Sequence, residues 1–180
     1  MQIEKIEPRT ITYRLSPDKG DAEYSSCIWA RYTFDCDNGQ LSVNSDAGDY
    51  AYGWGRNIHE DFMHLMGRVD EEYLLSKLSS RSVLDVAKSK AQTIKNIKEY
   101  GIDYWGIKDE KHLEAVVEYI SDIDSGASEE IFIQEVAGIV PNIDWEEIEV
   151  YKDYPYGAKI VAEMFIKYLQ PQIKEEFEKN

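Results

Sequence analysis

The stretch from Tyr24 to Ser45 constrains the fold more than any other part of the chain. Within YSSCIWARYTFD, Ile28, Ala30, Tyr32 and Phe34 alternate with Trp29, Arg31 and Thr33. This period of two predicts one strand over Tyr24 to Asp35 with an apolar and a polar face. Asn38-Gly39 follows, the strongest short hairpin signal, because both turn positions need φ > 0. Gln40 to Ser45 (QLSVNS) then reads as the return strand. Thr10 to Leu15 (TITYRL) precedes the pair across the turn SPDKGD, and Ala47-Gly48 turns the chain into Asp49 to Trp54 (DYAYGW). The expectation is an antiparallel meander of three or four strands.

Beyond it the period changes to that of helices. HEDFMHLM, His59 to Met66, predicts a short helix, and Asp70 to Leu78 a second with Asp70 as its N-cap. Ser82 is placed to cap a longer helix that ends at Tyr100 before Gly101. Lys108 to Asp122 follows, with Leu113, Val116, Val117 and Ile120 as its buried stripe. Ser128 caps the next, whose Phe132, Ile133, Val136, Ala137 and Val140 face inward until Pro141. Asp144 to Val150 suggests another short helix. The last runs from about Tyr156 to Phe177, with Pro171 as a kink or break. The class is α+β: a sheet with short helices over residues 1–80, then an acidic helical region over 81–180, the two sharing one core or folding apart.

Charge is where the function classes narrow. The chain holds 20 basic and 35 acidic residues, net −15, and residues 99–150 alone carry 15 acids against Lys108 and Lys111. Phosphate binding needs cations, so direct binding to DNA or to an anionic membrane is not expected. A basic partner is. The opening MQIEKIEPRT lacks an apolar leader and no apolar run is long enough to span a membrane, so the expected setting is the cytoplasm of a bacterial host. Cys27 and Cys36 give no disulfide framework.

No cofactor motif is present, neither a P-loop nor G-x-G-x-x-G, and no G-x-S-x-G or Cys/His signature marks a nucleophile. His59 and His64 stand five apart, so on a helix they diverge by about 140° and do not make a zinc pair. DCDNG, Asp35 to Gly39, has a calcium-loop flavour, but glycine falls fifth rather than sixth, and a turn accounts for it. The expectation is a non-enzyme with no metal and no cofactor.

The carboxylates of the acidic block carry the functional reading. Glu110, Glu114, Glu118 and Asp122 are spaced by four, so they share one helix face and repel. Such a ridge is either a solvated face or an imitation of a phosphate backbone, since steps of four residues rise about 6 Å. Asp124, Glu129 and Glu130 continue it, and Asp144, Glu146, Glu147 and Glu149 extend the field. Arg81, Lys88 and Lys95, with Lys98 beside them, form a basic stripe whose expected role is internal or solvated.

The runs YTFDCDNGQLSVNSDAGDYAYGWG (Tyr32 to Gly55) and EDFMHLMGRVDEEYLLSKL (Glu60 to Leu78) resemble a family of small proteins carried by bacteriophages and prophages. In that family a strand meander ends in a Tyr/Trp-Gly motif, then a short helix, then a segment matched here by Val69, Asp70, Tyr73, Leu74, Lys77 and Leu78. The resemblance covers roughly residues 8–80, not the acidic half, and brings no catalytic residue. A phage-borne protein of this size and acidity is similar to anti-CRISPR proteins, whose Cas9 inhibitors include acidic chains that occupy DNA-binding surfaces. What the resemblance implies is a host-defence inhibitor with Cas9 and its guide RNA as partner, since Cas9 offers a basic heteroduplex channel and PAM-reading arginines. A phage accessory protein for another basic host protein, or an enzyme modifying a defence component, stay open beside it.

Overall fold

The computed structural model describes residues 1, 3, 5–55 and 60–177. Its strands are β1 (Thr10–Leu15), β2 (Ala30–Asp35), β3 (Gln40–Ser45), β4 (Gly48–Gly53) and the short β5 (Val83–Leu84) and β6 (Lys152–Asp153). Its helices are α1 (Phe62–Arg68), α2 (Glu71–Leu78), α3 (Val86–Tyr100), α4 (Glu110–Asp122), α5 (Glu129–Ile139), α6 (Tyr156–Met164) and α7 (Gln170–Phe177). The chain divides into two units: residues up to Ser80 together with those from Tyr154, and Arg81–Asp153.

In the first unit β1 to β4 form an antiparallel meander in chain order. Register sets Tyr13, Tyr32, Val43 and Tyr50 in one row and Ile11, Phe34, Leu41 and Tyr52 in the next, all on one face. The opposite face is polar: Arg31 donates to Asn44 at 3.1 Å and Asn44 to Asp49 at 3.2 Å. The sheet is therefore one-sided, and α1, α2, α6 and α7 pack on its apolar face. Phe165 meets Tyr32 and Phe34, Phe62 meets Phe34 and Trp54, and the buried Tyr32 hydroxyl donates to the Val161 carbonyl at 2.7 Å. The second unit consequently ends at Asp153 rather than at the chain terminus, because the last helices pack Ala158, Val161, Met164, Phe165, Leu169 and Ile173 into the sheet's core.

Several local expectations are corrected. The second strand begins at Ala30, not Tyr24: Ala22–Ser25 is a 3-10 turn, and Asp46 accepts from the amides of Ile28 and Trp29, leaving Ile28 51% exposed. The turn after β2 is a four-residue loop, since Asp35 pairs with Gln40, and only Gly39 has positive φ. Asp35 accepts from the Asn38 backbone and side chain and Asp37 from the Arg9 amide, so protein donors already occupy the carboxylates of the calcium-like sequence. The first helix starts at Phe62 with Asp61 as its cap; His59 lies outside the described residues, and His64 donates to the Phe177 carbonyl at 2.7 Å. Asp85, not Ser82, caps α3, because Val83 and Leu84 pair with β6. Asp144 to Val150 contains only the 3-10 turn Trp145–Glu147. Pro171 produces no break: a π-helical turn, Phe165–Leu169, joins α6 to α7 just before it. The wider turn suits a residue with no amide hydrogen to give and a ring that crowds the previous turn.

The phage-like motif is a packing device. Trp54 donates to the Tyr73 hydroxyl at 2.9 Å, Lys77 sits over the rings of Tyr52 and Tyr73, Asp70 caps α2, and Leu74 and Leu78 are buried. These residues fasten α2 to β4.

The second unit packs α3, α4 and α5 around Ile97, Trp105, Ile107, Val116, Ile120, Phe132, Val136 and Val140. Of the predicted stripes, Val116, Ile120, Phe132, Val136 and Val140 are buried, Leu113, Val117 and Ile133 half-buried, and Ala137 exposed. Among the described residues no helix is long and apolar enough to cross a membrane.

Candidate acidic binding face

The structure sorts the acidic block into carboxylates that shape the backbone and carboxylates that do not. Asp109 caps α4 by accepting from the His112 amide at 2.8 Å. Asp144 and Glu147 form a reciprocal capping box around the 3-10 turn. Glu147 also accepts from Tyr104 at 2.9 Å, and the amide and phenol together hold its carboxyl below the usual range. Glu149 accepts from Asn96 and from Tyr151, whose phenol it pushes up. Of the sequence-derived site residues, Glu129 pairs with Lys152 at 2.7 Å. Glu130 is held below the usual carboxylate range by its own amide and the Ser128 hydroxyl at the α5 start. Asp124 accepts from the Gly126 amide at 2.6 Å.

Glu110, Glu114, Glu118 and Asp122 are different. All four are exposed on α4, opposite the buried Val116 and Ile120, and among the described residues none is in an ion pair. The basic stripe does not neutralise them. Lys88 lies over the Tyr151 ring, 4.2 Å from its centroid. Lys90, outside that stripe, donates to the Ser121 carbonyl at 2.8 Å and to that of Ile123. It thus meets the negative C-terminal end of α4 rather than a ridge carboxylate.

Tertiary packing adds a feature the spacing does not contain. Between α4 and α5 runs a groove of about 550 Å³. Its apolar surface is Ala115, Ile123 and Ile131, and its carboxylates are Glu118, Asp122, Asp124 and Glu135. Tyr119 donates to Glu135, bridging the two helices, and that carboxylate raises the phenol's pKa. A second hollow of about 420 Å³, lined by Gln134, Gly138 and Ile139, shares Tyr119 and Glu135 with it. The groove thus gathers Glu118, Asp122 and Asp124, but not Glu110, Glu114, Glu129 or Glu130. Glu135, Tyr119 and Ile131 escaped the sequence reading: they lie off the four-residue ridge, and only the pairing of α4 with α5 recruits them. A further exposed feature is Trp145, 64% exposed, together with Tyr100 and Tyr104, whose ring centroids are 5.4 Å apart.

The fold and this face define an α+β protein with a one-sided meander and a separate acidic helical unit. The model of the phage phiTE 072 family, described as a phage family, matches residues 1–175, and the chain belongs to that family. The match runs well past residue 80, so the acidic unit is as much a part of the family as the sheet. No curated protein and no solved structure matches the chain.

Proposed function

We propose that this phage-family protein inhibits a host defence system by binding a basic nucleic-acid-handling protein, with guide-RNA-loaded Cas9 as the partner. The observation that carries the reading is the row Glu110, Glu114, Glu118 and Asp122, exposed and without ion pairs among the described residues. A like-charge row costs α4 stability, whereas most carboxylates around it are engaged in caps and hydrogen bonds. Its charge suits a surface built to hold phosphates, because lysine and arginine donate to carboxylate oxygens as they do to phosphate oxygens. Cas9 presents such surfaces in its heteroduplex channel and PAM-reading arginines. The protein acts by occupancy, at about one equivalent, rather than by turnover.

The test is a titration into guide-loaded Cas9, reading DNA binding and DNA cleavage in parallel. Loss of both near one equivalent, weakening as salt rises, is the expected result. The variant with Glu110, Glu114, Glu118 and Asp122 all changed to lysine is expected to lose inhibition while keeping its helical circular dichroism. Full inhibition by that folded variant would refute the ridge as the contact. Inactivity of the wild type toward Cas9 would refute this partner.

A further inference from the structure

The ridge offers charge alone, but the groove beside its C-terminal half offers charge and apolar surface together. We infer that the α4–α5 groove is a docking site for an amphipathic, lysine- and arginine-bearing segment of a protein. One apolar side chain of that segment sits on Ala115, Ile123 and Ile131, and its flanking cations reach Glu118, Asp122 and Asp124. The inference rests on the proposed reading only in that the acidic unit meets a cationic protein. It adds the partner's chemistry, and it moves the centre of the contact from the outer ridge to the groove.

Three observations support this occupant. The first is shape: the groove is about 550 Å³, and a second hollow by Gly138 shares Tyr119 and Glu135 with it, a volume that suits a chain segment better than a single ion. The second is exposed apolar surface inside a charged rim. Ile131 is 49% and Tyr119 44% exposed, on the two helices that face each other there. An apolar contact ringed by polar groups that exclude water is the arrangement of an interaction centre. The third is charge complementarity. Every acidic or basic side chain that lines the groove is a carboxylate: Glu118, Asp122, Asp124 and Glu135. The neighbouring cation, Lys90, donates to the carbonyls of Ser121 and Ile123. A concave apolar wall concentrates the field of such a rim, which attracts cations and repels phosphates. Nucleic acid is therefore excluded as the occupant. An amphipathic segment laid in a groove between helices meets both demands at once.

The test uses the full chain and two synthetic peptides of identical composition, leucine and lysine in a helix-forming background. One has its leucines on a single helical face; the other is scrambled so that no face forms. Binding is followed by calorimetry and by amide chemical shifts. The amphipathic peptide is expected to bind about tenfold or more tightly than the scrambled one, the worth of seating one large aliphatic side chain. Its shifts are expected to cluster over residues 115–135. Ala115→Trp, which fills the groove, and Ile131→Ser, which strips its apolar wall, are each expected to reduce the amphipathic peptide to the scrambled level. The double variant Glu110→Lys/Glu114→Lys is expected to weaken both peptides and leave their ratio unchanged. Equal binding of the two peptides to the wild type, no binding of either, or a ratio that survives both groove variants would overturn the inference. Because no step involves Cas9, failure here is separable from failure of the inhibition assay.

Discussion

Glu118→Lys separates a ridge maintained for binding from one that merely faces water. Glu118 lies in α4 with Glu114 one turn before it and Asp122 one turn after. Two like-charge pairs therefore meet at this residue, each unfavourable by about 0.2–0.5 kcal/mol. Lysine removes both repulsions and replaces them with attractions, a change of four such terms, or about 1 kcal/mol in favour of the fold. The helical neighbours three residues away, Ala115 and Ser121, carry no charge, so no favourable pair is lost. The other groove carboxylates, Asp124 and Glu135, favour a cation at this place too. Glu118→Gln removes the repulsions without adding attractions and is expected to gain about half as much. For a chain of this size, 1 kcal/mol corresponds to roughly 2–4 °C in melting temperature. The assay is thermal and urea unfolding of wild type, Gln and Lys variants at low salt and at about 0.5 M salt, where screening shrinks the gain. The same lysine variant is expected to bind its cationic partner less well, so that stability rises as function falls. A lysine variant no more stable than wild type at low salt would refute the electrostatic argument. One that is more stable and binds equally well would leave the ridge as a solvated face.

Three further outcomes test the first unit. Gly157→Ala is expected to lower stability by about 2 kcal/mol or more in urea unfolding, because the new Cβ would stand 1.9 Å from the Ala47 carbonyl oxygen. Glu23 is 3% exposed and accepts from Lys167 at 2.5 Å and Tyr168 at 2.7 Å, interactions that hold its carboxyl down at about 2. A depressed carboxyl stabilises the fold above its unfolded value of about 4.3 and loses that contribution as pH falls toward 2. The urea midpoint is therefore expected to fall over this window, and Glu23→Gln to flatten the fall. Cys27 and Cys36 are buried thiols; burial and the Asp46 carboxylate push Cys27 up to about 11, and burial raises Cys36. Both are expected to react with a thiol reagent at neutral pH only as fast as the protein opens, and fast labelling in the native state would contradict their placement.

Family membership spans both units, while the motif that carries the family resemblance lies in the first and serves packing. On the function proposed above, the sheet half is the scaffold and the exposed α4 face the part that meets the partner. The caps divide the acidic block further: Asp109, Asp144, Glu147 and Glu130 hold helix starts, so acidity by itself overstates the surface available for binding.

The meander was legible because its information is local. Alternation along Ala30 to Phe34 and the turn signals between strands act over a few residues, and the helix caps at Asp70 and Ser128 act within one turn. The exposed row of four acids was legible for the same reason, since helical spacing alone aligns it. Where sequence reasoning failed, a distant residue decided the outcome. Asp46 and the buried Glu23 hold the segment before Ala30 out of the strand, and β6 takes Val83 and Leu84 from the start of α3. The last helices join the sheet's core rather than the acidic unit. The groove belongs to this second kind. Ile131 and Glu135 are ordinary helix residues in the chain, and become a candidate site only because packing lays α5 beside α4. Short-range periodicity fixes which side chains share a face, but the desolvation of apolar stripes against one another selects which faces meet.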